Sequence, residues 1–75
     1  MIIRVTATTP QQEIDNRVEA PNAFLAVDGL RVDLFERGFH IILDEEGEDH
    51  CRGRIYSHTD QGIMPVGQVE ARQVG

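Results

Sequence analysis

Leu30-Arg31-Val32-Asp33-Leu34, then Phe35-Glu36-Arg37-Gly38, then Phe39-His40-Ile41-Ile42-Leu43: these three consecutive segments decide how the chain is read. The first alternates apolar and charged residues, the period-two mark of a strand with one buried face. With the second as a four-residue loop, Leu34 faces Phe39, Val32 faces Ile41 and Leu30 faces Leu43. Six apolar side chains then share one face. A three-residue loop would set Leu34 against His40 and turn one strand's apolar set to the wrong side, so the four-residue loop is preferred. Carried through the acidic turn Asp44-Glu45-Glu46-Gly47-Glu48-Asp49, the same test places Leu43 opposite Cys51, Ile41 opposite Gly53 and Phe39 opposite Ile55. The opposite face then carries Arg31, Asp33, His40, Ile42, Asp44, His50, Arg52, Arg54 and Tyr56, with Asp33 across from His40 and Asp44 across from His50.

Working outward, Ile2 to Thr8 is rich in β-branched residues and reads as a strand with Ile3, Val5 and Ala7 inward. Thr9 to Ala20 fits two structures. Thr9 as N-cap, Pro10 at the first helical position, Gln12 and the Glu13/Arg17 pair favour a short helix, which is preferred. Alternation of Ile14, Asn16, Val18 and Ala20 fits a strand hairpinned to the first. Ala23 to Val27 is a short apolar run, closed by Asp28-Gly29 as a hairpin turn into the Leu30 segment. Glycines at 29, 38, 47 and 62 fall near turns, whereas Gly53 lies inside a strand and marks a bulge or bend. Ser57 to Gly62 reads as a polar loop, and Val69 and Ala71 belong to a last strand that pairs with the first.

The expected fold is mainly β: a small antiparallel meander closing as a barrel or sandwich, with one short N-terminal helix and an α+β arrangement as the alternative. Residues 1–75 are expected to form one domain. Its expected core is Ile3, Val5, Leu25, Val27, Leu30, Val32, Leu34, Phe39, Ile41, Leu43, Cys51 and Ile55. A chain of this size buries only roughly 60 to 65 per cent of its unfolded surface, so it works through its exterior.

The net charge of −6, from 13 acidic and 7 basic residues, argues against direct binding of nucleic acid or an anionic membrane. All seven basic residues are arginine, which removes lysine-based covalent chemistry apart from the terminal amine. One cysteine, no basic leader and no long apolar run make the cytoplasm the expected location.

No catalytic, cofactor or metal signature is recognisable. His40, His50, Cys51 and His58 lack metal-ligand spacing, and Cys51 reads as a small buried apolar residue. Ser57-His58-Thr59-Asp60 holds triad residue types, but consecutive residues in a turn cannot take up triad geometry. The acidic run lacks the spacing of an EF-hand loop. No glycine-rich phosphate-binding loop is present. An enzyme is not expected.

Three surfaces are candidates for a partner. Asp44, Glu45, Glu46, Glu48 and Asp49 could meet arginines of a protein partner by imitating a nucleic-acid backbone. His40, His50, Arg52, Arg54 and Tyr56 form a second surface, able to take an anion, an acidic peptide or single-stranded nucleic acid through charge and stacking. Ile63, Met64 and Val66 are an apolar interface or a plug for one end of a barrel, and burial decides between them. The functional expectation is a non-enzymatic acidic protein-binding domain. Phage and mobile-element accessory or inhibitor proteins that act on nucleic-acid machinery, anti-CRISPR proteins among them, share this size and charge. The alternative is a structural subunit that self-assembles as a homo-oligomer through a strand edge or the apolar segment.

Overall fold

A computed structural model describes all residues from Met1 to Gly75. The chain forms β1 (Ile2–Thr8), β2 (Glu13–Glu19), α1 (Ala23–Glu36), β3 (Phe39–Glu45), β4 (His50–Thr59) and β5 (Gly62–Gln73). The strands make one antiparallel sheet in the order β2-β1-β5-β4-β3. α1 lies across one face. The sheet stays open, with β2 and β3 as its edges, so the expected barrel or sandwich closure does not occur.

The main correction is α1. The segment expected as two strands around an Asp28-Gly29 hairpin is one continuous helix. Leu30 and Leu34 are two steps apart on a strand face but also one helical turn apart, so the five-residue window satisfies both periods. Extended back to Ala23, Val27 and then Leu30 and Leu34 fall on one helical stripe, with Ala26 beside it. Asn22 starts the helix: its Oδ1 accepts from the Leu25 amide at 2.8 Å, a cap of a kind that contributes about 1 kcal/mol. At the other end the amides of Arg37 and Gly38 donate to Leu34 and Phe35, and Gly38 takes φ +88° to turn the chain into β3. Val32 and Leu25, expected in the core, are exposed because they lie opposite that stripe.

Thr9 to Ala20 takes the strand alternative rather than the helix. Thr9 does cap, but it caps a turn. Its hydroxyl donates to the Gln12 carbonyl and accepts from the Gln11 and Gln12 amides, closing the β1–β2 hairpin.

The core lies between α1 and the covered face of the sheet. Ile3, Val5 and Ala7 of β1, Val69 and Ala71 of β5, Cys51 and Ile55 of β4, and Phe39 and Ile41 of β3 meet Ala23, Ala26, Val27 and Leu34. Leu30 and Leu43, counted as core from the sequence, are partly buried at its margin. β5 pairs with β1 as expected, Val5 opposite Ala71 and Ala7 opposite Val69.

β3 and β4 pair two residues away from the expected register: Leu43 faces Gly53, Ile41 faces Ile55 and Phe39 faces Ser57. A slip of two preserves the faces, so the inward set is right although the partners are not. Asp44 is the extra residue of a bulge, lying opposite the Gly53-Arg52 step, where β3 comes so close that a side chain on Gly53 would lie 2.8 Å from the Leu43 Cα. The expected Asp33–His40 and Asp44–His50 pairs do not form, since Asp33 is on α1 and His50 lies across from Arg72.

Ser57 to Gly62 is not a loop. β4 continues to Thr59, turns at Asp60-Gln61 and returns as β5, with Gly62 at φ +119°. Pro65 is tolerated because the β4–β5 register shifts there, from Ile55 opposite Gly67 to Tyr56 opposite Pro65. The hairpin therefore runs past β1, whose last partner in β5 is Gln68.

Candidate functional site

The acidic turn is fastened rather than free. Glu45 pairs with Arg52 at 2.8 Å and approaches His50 at 3.6 Å, and Asp44 lies 3.7 Å from Arg54. The carbonyls of Glu48 and Asp49 accept from the amides of Ala23 and Gln73, and that of Gly47 accepts from the Cys51 thiol. This turn therefore anchors the start of the helix and the end of the last strand. Of the expected acidic surface, only Glu46, Glu48 and Asp49 present carboxylates outside an ion pair.

The uncovered face of the sheet holds the second candidate surface. His40 lies opposite Tyr56, while His50, Arg52 and Arg54 alternate along β4. Register adds residues that the sequence did not single out. Arg17 pairs with Arg4, Arg4 with Arg72 and Arg72 with His50, a basic row across four strands. The neighbouring row is Asp15, Thr6, Glu70, Arg52 and Glu45. Like charges directly opposite one another are unfavourable, and here the acidic row offsets them diagonally. Arg4 grips Asp15 through two bonds of 3.0 and 2.7 Å, and His50 reaches Glu70 at 3.2 Å. A shallow groove of about 450 Å³ over Thr6, Glu13, Asp15, Arg52 and Glu70 follows the second of these rows and does not reach the basic one.

The Arg4 hydrogen bonds hold the Asp15 carboxyl below the ordinary carboxylate range, and Asp15 in turn raises Arg4. A depressed folded-state value means that the pair stabilises above the unfolded carboxyl's pKa and loses its effect as pH falls through the folded one. Both groups are exposed, so the effect is small. Asp15→Asn is expected to melt below the wild type at neutral pH, with the gap closing in acid. A gap that persists at pH 2 would remove this ion pair as its cause.

Ser57 and His58 project to opposite sides of β4, Thr59 ends that strand, and Asp60 lies in the turn. No three His, Cys, Asp or Glu side chains are placed to hold a metal ion. No helix is long and apolar enough to cross a membrane.

The apolar candidate is exposed, not a plug. Ile63 and Met64 are 55 and 51 per cent accessible, while Val66 tucks against the core. They do not stand alone. On α1, Val32 and Phe35 are 64 and 63 per cent accessible, and Ile42 on β3 is 48 per cent. Phe35 meets His40 edge to face at 5.3 Å, His40 meets His58 at 4.3 Å, and His58 lies opposite Ile63. These contacts run from Phe35 on the helix through His40 at the β3 edge to His58 and Ile63 near the hairpin tip. Ile63, Met64 and Val66 were legible beforehand as an apolar candidate and His40 as part of a different surface; Val32 and Phe35 belong here only because α1 is a helix. Comparison with known proteins finds no matching family, no matching curated protein and no matching solved structure.

Proposed function

We propose that this chain is a non-enzymatic protein-binding domain whose contact surface is the rim of Val32, Phe35, His40, His58, Ile63 and Met64. The observation that carries this reading is the chain of ring contacts that leads from exposed Phe35 through His40 to His58, whose strand partner is exposed Ile63. Single exposed apolar residues are ordinary in a small domain, whereas a connected set around an open strand edge has the character of an interface.

A second reading rests on charge. On the uncovered sheet face and its rim, six acids stand with five arginines. Around the helix and turns, Asp28, Asp33, Glu36, Glu46, Glu48, Asp49 and Asp60 stand with only Arg31 and Arg37. That imbalance suits a basic partner, and the accessory or inhibitor role acting on nucleic-acid machinery belongs here.

The test is capture by the tagged protein from its native lysate, with and without nuclease, at low and moderate salt. A stoichiometric partner should survive salt and be lost when Phe35 and Ile63 are both changed to serine. A partner released by salt, and lost only on replacing Glu46, Glu48 and Asp49 with their amides, would shift the assignment to the acidic surface. Capture indifferent to both sets would sink both readings.

A further inference from the structure

We infer that the occupant of the rim is a second copy of this chain, its β3 paired antiparallel with β3 about a two-fold axis at Ile41, joining two sheets into one of ten strands. The inference rests on the protein-binding reading above and names its partner.

The two sheet edges differ. β2 carries Glu13, Asp15, Arg17 and Glu19 at alternate positions, charges of the kind that keep an edge from pairing. β3 carries no carboxylate, arginine or proline from Phe39 to Leu43, and no strand covers its outer side. An edge of this composition is a template for another strand.

The sequence of β3 is complementary to itself. Antiparallel strands in one sheet keep their faces only when paired positions share parity, which centres a two-fold axis on a residue. Centred on Ile41, the pairing sets Phe39 against the other copy's Leu43, Ile41 against its own equivalent, and Ile42 against His40. The regular part of β3 is used and the bulge at Asp44 lies outside it. The covered apolar face continues across the junction, and Ile42 gains the His40 imidazole of the other copy as its neighbour.

Charge selects the same register. Each copy carries −6, and β3 holds its two acids, Asp44 and Glu45, at one end. About Ile41 that acidic end meets Gly38 and Arg37 of the other copy. Moving the axis to Asp44 would set the two Asp44 carboxylates against each other. The axis stands perpendicular to the sheet, so both helices lie on one side. Phe35, already against His40, then flanks the junction.

The experiment is light scattering or sedimentation of the full chain from micromolar to millimolar concentration, with amide exchange measured at both ends of the range. A dimer is expected, with exchange protection over residues 39–43 rising with concentration. Ile42→Lys should weaken dimerisation on the order of a hundredfold, because symmetry repeats the unfavourable contact. His40→Glu combined with Ile42→Lys should restore it, since each lysine then faces a glutamate of the other copy. The exchange measurement needs no variant, so a misfolded variant leaves the test intact. A wild type that stays monomeric to millimolar concentration overturns the inference. So does a dimer that survives Ile42→Lys but is lost with Met64→Asp. A monomeric chain that still captures a lysate protein through Phe35 and Ile63 would leave the rim standing and remove only self-pairing.

Discussion

Gly67→Ala, the addition of one methyl group, is expected to remove much of the stability of this domain. Gly67 does not hold a positive φ; the constraint on it is space. A Cβ there would overlap the Thr8 carbonyl oxygen and lie 2.9 Å from the Thr8 carbonyl carbon. Neither is the end of a flexible side chain. Thr8 is the last residue of β1, and the turn after it is fixed by the Thr9 amide and hydroxyl on the Gln12 carbonyl at 2.9 and 3.1 Å. Relief of the overlap must therefore open the end of the β1–β5 ladder. Overpacking in a tight site costs about 1 to 3 kcal/mol or more, and the backbone contact places this case at the upper end. A chain of 75 residues has about 4 to 11 kcal/mol in total. Gly29→Ala provides the contrast: it is exposed within α1 with no heavy atom within 4 Å of the new methyl, so a gain of about 0.5 to 1 kcal/mol is expected. Urea unfolding of both variants checks the pair. An unchanged midpoint for Gly67→Ala would contradict the close passage of β1 over β5.

The strands were legible where alternation was long enough and the partner lay at the other end of the chain. Ile3, Val5 and Ala7 were assigned to the correct face and the last strand to its correct partner, although Val69 and Ala71, which that pairing buries, were not counted in the core. In β3 and β4 the faces were right while the partners were displaced by two, because parity is written in the sequence and register depends on how the turn closes. The helix was hidden by two coincidences: Leu30 to Leu34 satisfies both periods, and Asp28-Gly29 resembles a turn although Gly29 needs no special backbone angle. Thr9 shows the same ambiguity, since a hydroxyl that caps a helix can equally close a hairpin. For the candidate surfaces, residue type was readable and association was not. The acidic run was visible, but its tethering to Ala23, Cys51 and Gln73 is a product of tertiary contact. The Arg17–Arg4–Arg72 row joins three segments distant in sequence, and only the pairing of strands brings them together.

Leu34→Ala should cost about 2 to 5 kcal/mol, whereas Val32→Ala should stay within about 0.5 kcal/mol. The two residues are two positions apart. Were they on a strand, they would share a face and lose comparable packing, as the hairpin reading of Leu30 to Leu34 requires. On α1 they point to nearly opposite sides: Leu34 is fully buried in the core with Ile3, Ile41 and Ile55, and Val32 lies on the exposed flank. A buried leucine leaves a cavity that the neighbouring β-branched side chains fill only in part, so the loss exceeds the transfer free energy of the missing carbons. At position 32, alanine removes little buried area and replaces a β-branched residue with a better helix former. The ratio of the two effects therefore reports the period of the segment directly, independent of the absolute stability. Unfolding should be followed at two protein concentrations, because the pairing inferred at β3 adds to apparent stability as concentration rises. In the dilute series Val32→Ala should match the wild type and Leu34→Ala should fall well below it. Equal losses at the two positions in the dilute series would return the segment to a strand and take the rim, and the pairing built on it, with them.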